Sequence, residues 1–220
     1  MDSISQYLRL VEQRPELFVP SPHIPLCLDE KVLREFAKSS DKPIGLVFDN
    51  TPYYMLINDV CIGKSGSLYS YSRVIYSNSS SNGVVVIPKC GDCFGLLSLF
   101  RHPPRMESLE FPRGFSEECS PEENAIREME EETGLHPDEL KQLGEIRADT
   151  GLTAGRVQVF LADVKEKKTV PLPDNQEAIH SVIWLTEEEL QRRIAEGVIT
   201  DGFTLGAYAK YLCQVSKVLK

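Results

Sequence analysis

Ile4, Tyr7, Leu8 and Val11 recur among charged neighbours, a spacing that predicts an amphipathic helix over residues 2–14 with Pro15 beyond its end. A proline-rich connector occupies residues 19–26. Asp29 stands where it would cap a second helix over KVLREFAKSS, and Lys42-Pro43 leads into two runs that read as strands, IGLVF and YYMLI. From Ser70 onward strand and turn alternate: YSRVIY, VVVIP and FGLLSLF are separated by SNSSSNG and CGD. Asn82-Gly83 suits the positive φ of a tight turn. After the loop RHPPRM and the short run SLEF comes a helix with firm boundaries. Ser120 and Glu123 form a capping box, Pro121 takes the first helical position and Gly134 supplies the stop. A charged connector, the strand RVQVFLADV, a polar loop, the strand HSVIWL and two helices, roughly TEEELQRRIAEG and TLGAYAKYLCQVSKVL, complete the chain. This order predicts an α/β sheet covered by helices on both faces. Residues 1–69 read as an N-terminal extension of helices and short strands, and residues 70–220 as the principal domain.

Composition narrows the function. The formal net charge of -9 over 220 residues gives no field that would collect nucleic acid or an anionic membrane, so neither is expected as a partner. The opening stretch MDSISQYLRLVEQRPELF is interrupted by Arg9, Glu12 and Arg14, unlike the apolar core of a secretory leader, and no segment approaches a membrane span. Cysteines at 27, 61, 90, 93, 119 and 213 show no disulfide framework, as in a reducing cytoplasm, where the chain is expected to reside. Cys90-Gly-Asp-Cys93 has a spacing used by zinc and redox sites, but no second pair or matching histidines accompany it. With Gly91-Asp92 between apolar runs, it reads as a hairpin turn flanked by cysteines.

The segment REMEEETG raises a sharper question. Glutamates at 128, 130, 131 and 132 crowd one helical turn, where each like-charge pair costs about 0.2–0.5 kcal/mol. On a wheel of ~100° per residue, Glu128, Glu131 and Glu132 share one face, beside an apolar sector of Ala125, Ile126 and Met129. Arg127 and Glu130 point elsewhere on that wheel. Hard oxygen donors grouped this way suit Mg²⁺ or Mn²⁺, whose charge turns repulsion into attraction. A merely solvated acidic face is the competing reading.

The stretch GFSEECSPEENAIREMEEETGL resembles the Nudix box, G-x5-E-x7-R-E-U-x-E-E-x-G-U with U aliphatic. Its second half is complete in Arg127, Glu128, Met129, Glu131, Glu132, Gly134 and Leu135. The first half departs from the pattern. Cys119 falls on the first motif glutamate and Arg113 on the glycine, as a one-residue deletion after Gly114 would produce, with Glu117 or Glu118 filling in for the acid. The resemblance implies a Nudix-type α/β/α sandwich with a mixed sheet. It also implies metal-dependent hydrolysis of a nucleoside diphosphate linked to another moiety.

FRHPPRMESLEFPRG is similar to the R-x-P and E-x-P-x-G stretches of ADP-ribose pyrophosphatases. By that likeness Glu128 and Glu132 would be the principal ligands of Mg²⁺ or Mn²⁺, with Glu131 a further ligand or water-positioning group. Arg113 would offer its backbone carbonyl. Arg101 and Glu110 would serve substrate binding, Glu110 from behind the ligands or among them. Arg127 would orient a neighbouring glutamate, and Gly114 and Gly134 would be structural. Glu177, in the loop PLPDNQEAIHSVIWL, would be the catalytic base. Thr150 stands where these enzymes usually carry a proline. ADP-ribose or another nucleotide sugar is the leading substrate. A nucleotide-sensing module without hydrolysis, or an enzyme acting on a dinucleotide or a damaged nucleoside triphosphate, remains the alternative. The resemblance further implies a homodimer, with part of residues 40–77 at the interface.

Overall fold

Asp2 caps the first helix, α1 (Ser3–Gln13), by accepting the Ser5 N–H at 2.9 Å. The structure is a computed structural model and describes residues 2–76, 83–115, 119–170 and 178–214. The chain divides into two units, Met1–Ser79 with Asp149–Gly155, and Ser80–Ala148 with Arg156–Lys220.

In the first unit α1 buries Ile4, Tyr7 and Leu10, while Leu8 and Val11 of the expected stripe pack at its flank. Asp29 caps α2 (Glu30–Ser39), accepting from the backbone N–H groups of Lys31 and Val32. Strands β1 (Gly45–Asn50), β2 (Tyr54–Ile62) and β3 (Leu68–Tyr76) form an antiparallel sheet in that order. β3 pairs with β2 along its whole length, from Leu68 to Tyr76, and so belongs to this unit. Residues 149–155, Thr150 among them, join it through Val74, whose N–H donates to the Leu152 carbonyl at 2.9 Å.

One buried ion pair organises this core. Asp59, 2% exposed, accepts from the Tyr7 hydroxyl at 2.7 Å and from Arg73 Nε at 2.6 Å. The Arg73 guanidinium also reaches the Leu17 carbonyl and lies 4.9 Å over the Phe18 ring. Removing one member of such a pair leaves the others desolvated without compensation. Asp59→Ala should therefore cost about 3 kcal/mol in chemical denaturation. A loss below about 0.5 kcal/mol, the scale of an ordinary surface substitution, would show that water replaces the carboxylate.

The second unit is a mixed sheet between helices. Its strands are β4 (Gly83–Cys90), β5 (Cys93–Arg101), β6 (Met106–Glu110), β7 (Arg113–Gly114), β8 (Glu139–Ile146), β9 (Val157–Asp163) and β10 (Ile179–Thr186). The order is β10-β5-β4-β9-β8, with β6 on β5 and β7 on β4. Among the described residues the one parallel pairing in this sheet is β4 with β9. Because side chains alternate along a strand, VVVIP serves two cores at once. Val84 and Val86 pack with Ala125 and Met129 of helix α3 (Pro121–Thr133). Val85 and Ile87 face a cluster containing Leu190 of α4 (Glu187–Ala195) and Tyr208 and Tyr211 of α5 (Gly202–Gln214). The expected α/β/α sandwich is present.

Two elements differ from the sequence expectation. The charged connector contains β8, an edge strand that buries only Leu143 fully, so it carries no apolar alternation to read. Helix α5 starts at Gly202, ahead of the expected Thr204, because Asp201 accepts the Thr204 N–H at 2.8 Å and so caps it. The β4–β5 hairpin closes at Gly91-Asp92 with Cys90 opposite Cys93, as expected. Asn82 lies outside the described residues.

Candidate active site

The two residues of β7 bring the E-x-P-x-G segment against α3. Gly114 has no room for a side chain, since a Cβ there would stand 2.1 Å from the carboxyl carbon of Glu128. Beside it the Arg113 N–H donates to Glu132 Oε2 at 3.0 Å. Helix α3 is fixed at both ends. Ser120 and Glu123 exchange hydrogen bonds in the capping box, and Gly134 ends the helix at φ 70°. A left-handed residue costs glycine nothing.

On α3, Ala125 and Met129 are fully buried and Glu128 and Glu132 nearly so, at 9% and 4% exposure. Glu131 faces outward. Glu130 turns away to His136. Arg127 departs from the wheel, because a long side chain can fold back over its own helix. Its guanidinium reaches Glu131 Oε2 and Asn124 Oδ1, both at 2.7 Å, and also pairs with Glu128. Part of the repulsion within EMEEE is thus met by an arginine from the same turn. Partial burial works against the Arg127 charge, but Glu128 and Glu131 outweigh it and raise its pKa.

Arg101, Arg113, Gly114, Arg127, Glu128, Glu131 and Glu132 line one cavity of about 420 Å³, completed by Val84, Phe115, Val157, Ile179 and Phe203. Glu110 does not line it. Its carboxylate, 2% exposed, lies behind the wall. It accepts from Arg101 Nη2 at 2.7 Å and from Arg113 Nε at 3.1 Å. Burial alone would raise the Glu110 pKa, but Arg101 and Arg113 more than offset it and hold the carboxyl below its ordinary value. Arg113 also approaches Asp201 at 3.5 Å and lies 4.9 Å over the Phe203 ring.

From the sequence Arg113 is expected to act only through its backbone carbonyl, and Asn124, Asp201, Phe203 and Thr204 carry no expected role. Asn124 is three residues before Arg127 on a helix, a spacing that could have signalled the pair. Asp201 and Thr204 are spaced as a helix cap, a signal available in the sequence. Thr204 also accepts the buried Phe111 N–H at 3.0 Å, tying α5 to the segment that carries Glu110. Nothing in the sequence announces the contact between Arg113 and Phe203. Glu177, Glu117 and Glu118 lie outside the described residues.

Among the described residues no three acidic, histidine or cysteine side chains converge on one point. Glu128 and Glu131 are turned to Arg127, and Glu132 to the Arg113 N–H. A magnesium-type ion asks for less than a closed cage: one or two carboxylates, with water and substrate oxygens completing the shell. Glu128 and Glu132, one turn apart and both against β7, fit that requirement. No helix among the described residues is long and apolar enough to cross a membrane.

The fold and cavity define a class: an α/β/α sandwich with a mixed sheet and a carboxylate-bearing helix set against the short strand Arg113–Gly114. Residues 81–201, more than half of the chain, match the NUDIX domain, and the chain belongs to that family. It is 30% identical over 143 residues to an ADP-sugar pyrophosphatase of Mus musculus, a match covering 60% of this chain and 65% of the mouse protein's length. The crystal structure of an ADP compounds hydrolase superposes with a TM-score of 0.65 at 15% identity, covering 79% of this chain and 93% of that one. At that identity the likeness speaks for the fold.

Proposed function

We propose that the chain is a hydrolase that cleaves the pyrophosphate of a nucleoside diphosphate linked to another moiety, with ADP-ribose or another nucleotide sugar as substrate. NUDIX membership and the likeness to ADP-sugar pyrophosphatase indicate a hydrolase. The observation that carries the reading is the cavity itself, where three carboxylates of α3 meet Arg101 and Arg113. Its acidic side suits a hard cation and its guanidinium groups suit phosphate oxygens, which arginine binds in a bidentate fork.

In this reading Glu128 and Glu132 hold Mg²⁺ or Mn²⁺ together with the Arg113 carbonyl, and Glu131 adds a ligand or positions water. The ion supplies charge neutralisation and polarises the phosphoryl oxygens. Arg101 orients the diphosphate, and Arg127 keeps Glu128 and Glu131 in place between turnovers. Glu177 accepts the proton of the attacking water, as a carboxylate outside the ligand set can. Glu177→Gln should then lower turnover by ~10²-fold or more with little change in metal affinity. A wild-type rate in that variant would move the role to Glu131.

The second unit carries this chemistry, in a cytoplasmic homodimer paired through part of residues 40–77. Light scattering on the purified chain tests the pairing, and a monomer at micromolar concentration would refute it. The activity is tested by a screen with Mg²⁺ against ADP-ribose, nucleotide sugars, NADH, diadenosine polyphosphates and damaged nucleoside triphosphates, with products identified. Release of AMP from an ADP-sugar, abolished by chelator, is the expected result. Binding without turnover on every substrate would establish the nucleotide-sensing alternative.

A further inference from the structure

Outside the cavity, one cluster of reactive side chains has no part in the chemistry proposed above. Cys90 ends β4 and Cys93 begins β5, and the two face each other in register across Gly91-Asp92. Gly91 has φ 58° and takes the first position of a two-residue turn, where one hairpin type places glycine. Directly opposed residues of an antiparallel pair project from the same side of the sheet, with Cα atoms about 4.5–5.5 Å apart. A disulfide bridges Cα separations of about 4.4–6.8 Å, and the spacing of such an opposed pair falls within that range.

Access and charge point the same way. Both thiols are free and half-buried, within reach of a small reagent, whereas Cys27 and Cys61 are buried. Lys167 lies close to the pair, and its pKa is raised, by Cys93 first and by Cys90 last. A cation beside one sulfur of a pair gives the two sulfurs different surroundings. Zinc would need further ligands, and among the described residues no such group of three assembles.

We propose that Cys90 and Cys93 form a dithiol site for thiol–disulfide exchange with low-molecular-weight disulfides, Cys93 attacking first and Cys90 resolving. Cys93 gives up its proton and its sulfur attacks one sulfur of the reagent RSSR. The RS–SR bond breaks, a bond from Cys93 to SR forms, and the departing RS⁻ takes up a proton as RSH. Cys90 then loses its proton and attacks the Cys93 sulfur, expelling the second RS⁻, which also ends as RSH. Two protein thiols are oxidised by two electrons, and one RSSR is reduced to two RSH.

The test is to equilibrate the full chain in buffers of graded glutathione to glutathione disulfide ratio, quench with acid and map the peptides. One internal cross-link between Cys90 and Cys93 is expected in the peptide map, with Cys27 and Cys61 still reduced and any glutathione on half-buried Cys119 or exposed Cys213 mapped separately. Cys90→Ser should trap a glutathione adduct on Cys93. Cys93→Ser should carry severalfold less adduct on Cys90, and Lys167→Ala should slow capture severalfold. Absence of the internal cross-link in wild-type protein at excess disulfide overturns the proposal, as does equal adduct on either cysteine in the single variants. The readout is mass, so it stands apart from the hydrolytic function.

Discussion

Glu132→Gln is expected to lose metal-dependent hydrolysis by several orders of magnitude while the fold persists. Glu132 is 4% exposed and accepts the Arg113 N–H at 3.0 Å, a bond that the amide oxygen of glutamine can keep. The packing of α3 against β7 should therefore survive. What disappears is a negative charge beside Glu128, on a helix where like charges cost about 0.2–0.5 kcal/mol per pair. Thermal stability without metal should stay level or rise. In wild-type protein saturating Mg²⁺ should raise the melting temperature, because a ligand that binds only the folded state stabilises it. The variant should lose most of that increment. Near wild-type turnover in Mg²⁺ would end the metal-site reading, whatever the melting curve shows.

The acidic helix was legible because its signals are local. A capping box and a glycine stop are both fixed by spacing within one helix, and the structure keeps both. The sandwich was legible for a related reason, since an unbroken apolar run such as VVVIP must bury both faces. β8 escaped because an edge strand can be polar and still pair, its backbone bonds to β9 owing nothing to side-chain type. The pairing of Arg127 with neighbouring glutamates is what the family resemblance implies, whereas the helical wheel alone points it elsewhere, because a wheel places Cβ atoms and a guanidinium travels several ångströms beyond its own. The surroundings of Glu110 escaped because they are assembled from distant places in the chain. Arg101 comes from the end of β5, Arg113 from β7 and Asp201 from the start of α5, and only the folded sheet brings them together.

That assembly separates two roles for Glu110. A metal-ligating glutamate must present an oxygen to the cavity, whereas Glu110 is 2% exposed and spends its oxygens on Arg101 and Arg113, both of which line the cavity. Its position is that of a group that holds two guanidiniums where phosphate would meet them. Glu110→Gln keeps the shape and removes the charge, leaving both arginines beside a neutral amide. Breaking a buried pair from one side typically costs about 3–5 kcal/mol. Because Arg101 and Arg113 are partly solvated and Arg113 retains Asp201, the lower end, about 3 kcal/mol, is expected here. The kinetic signature should be a KM for the nucleotide substrate raised about tenfold, one misplaced bidentate contact being of the order of 1.4 kcal/mol, while the Mg²⁺ concentration for half-maximal rate stays put. If instead the Mg²⁺ requirement rises tenfold and KM does not move, Glu110 belongs with the ligands on α3.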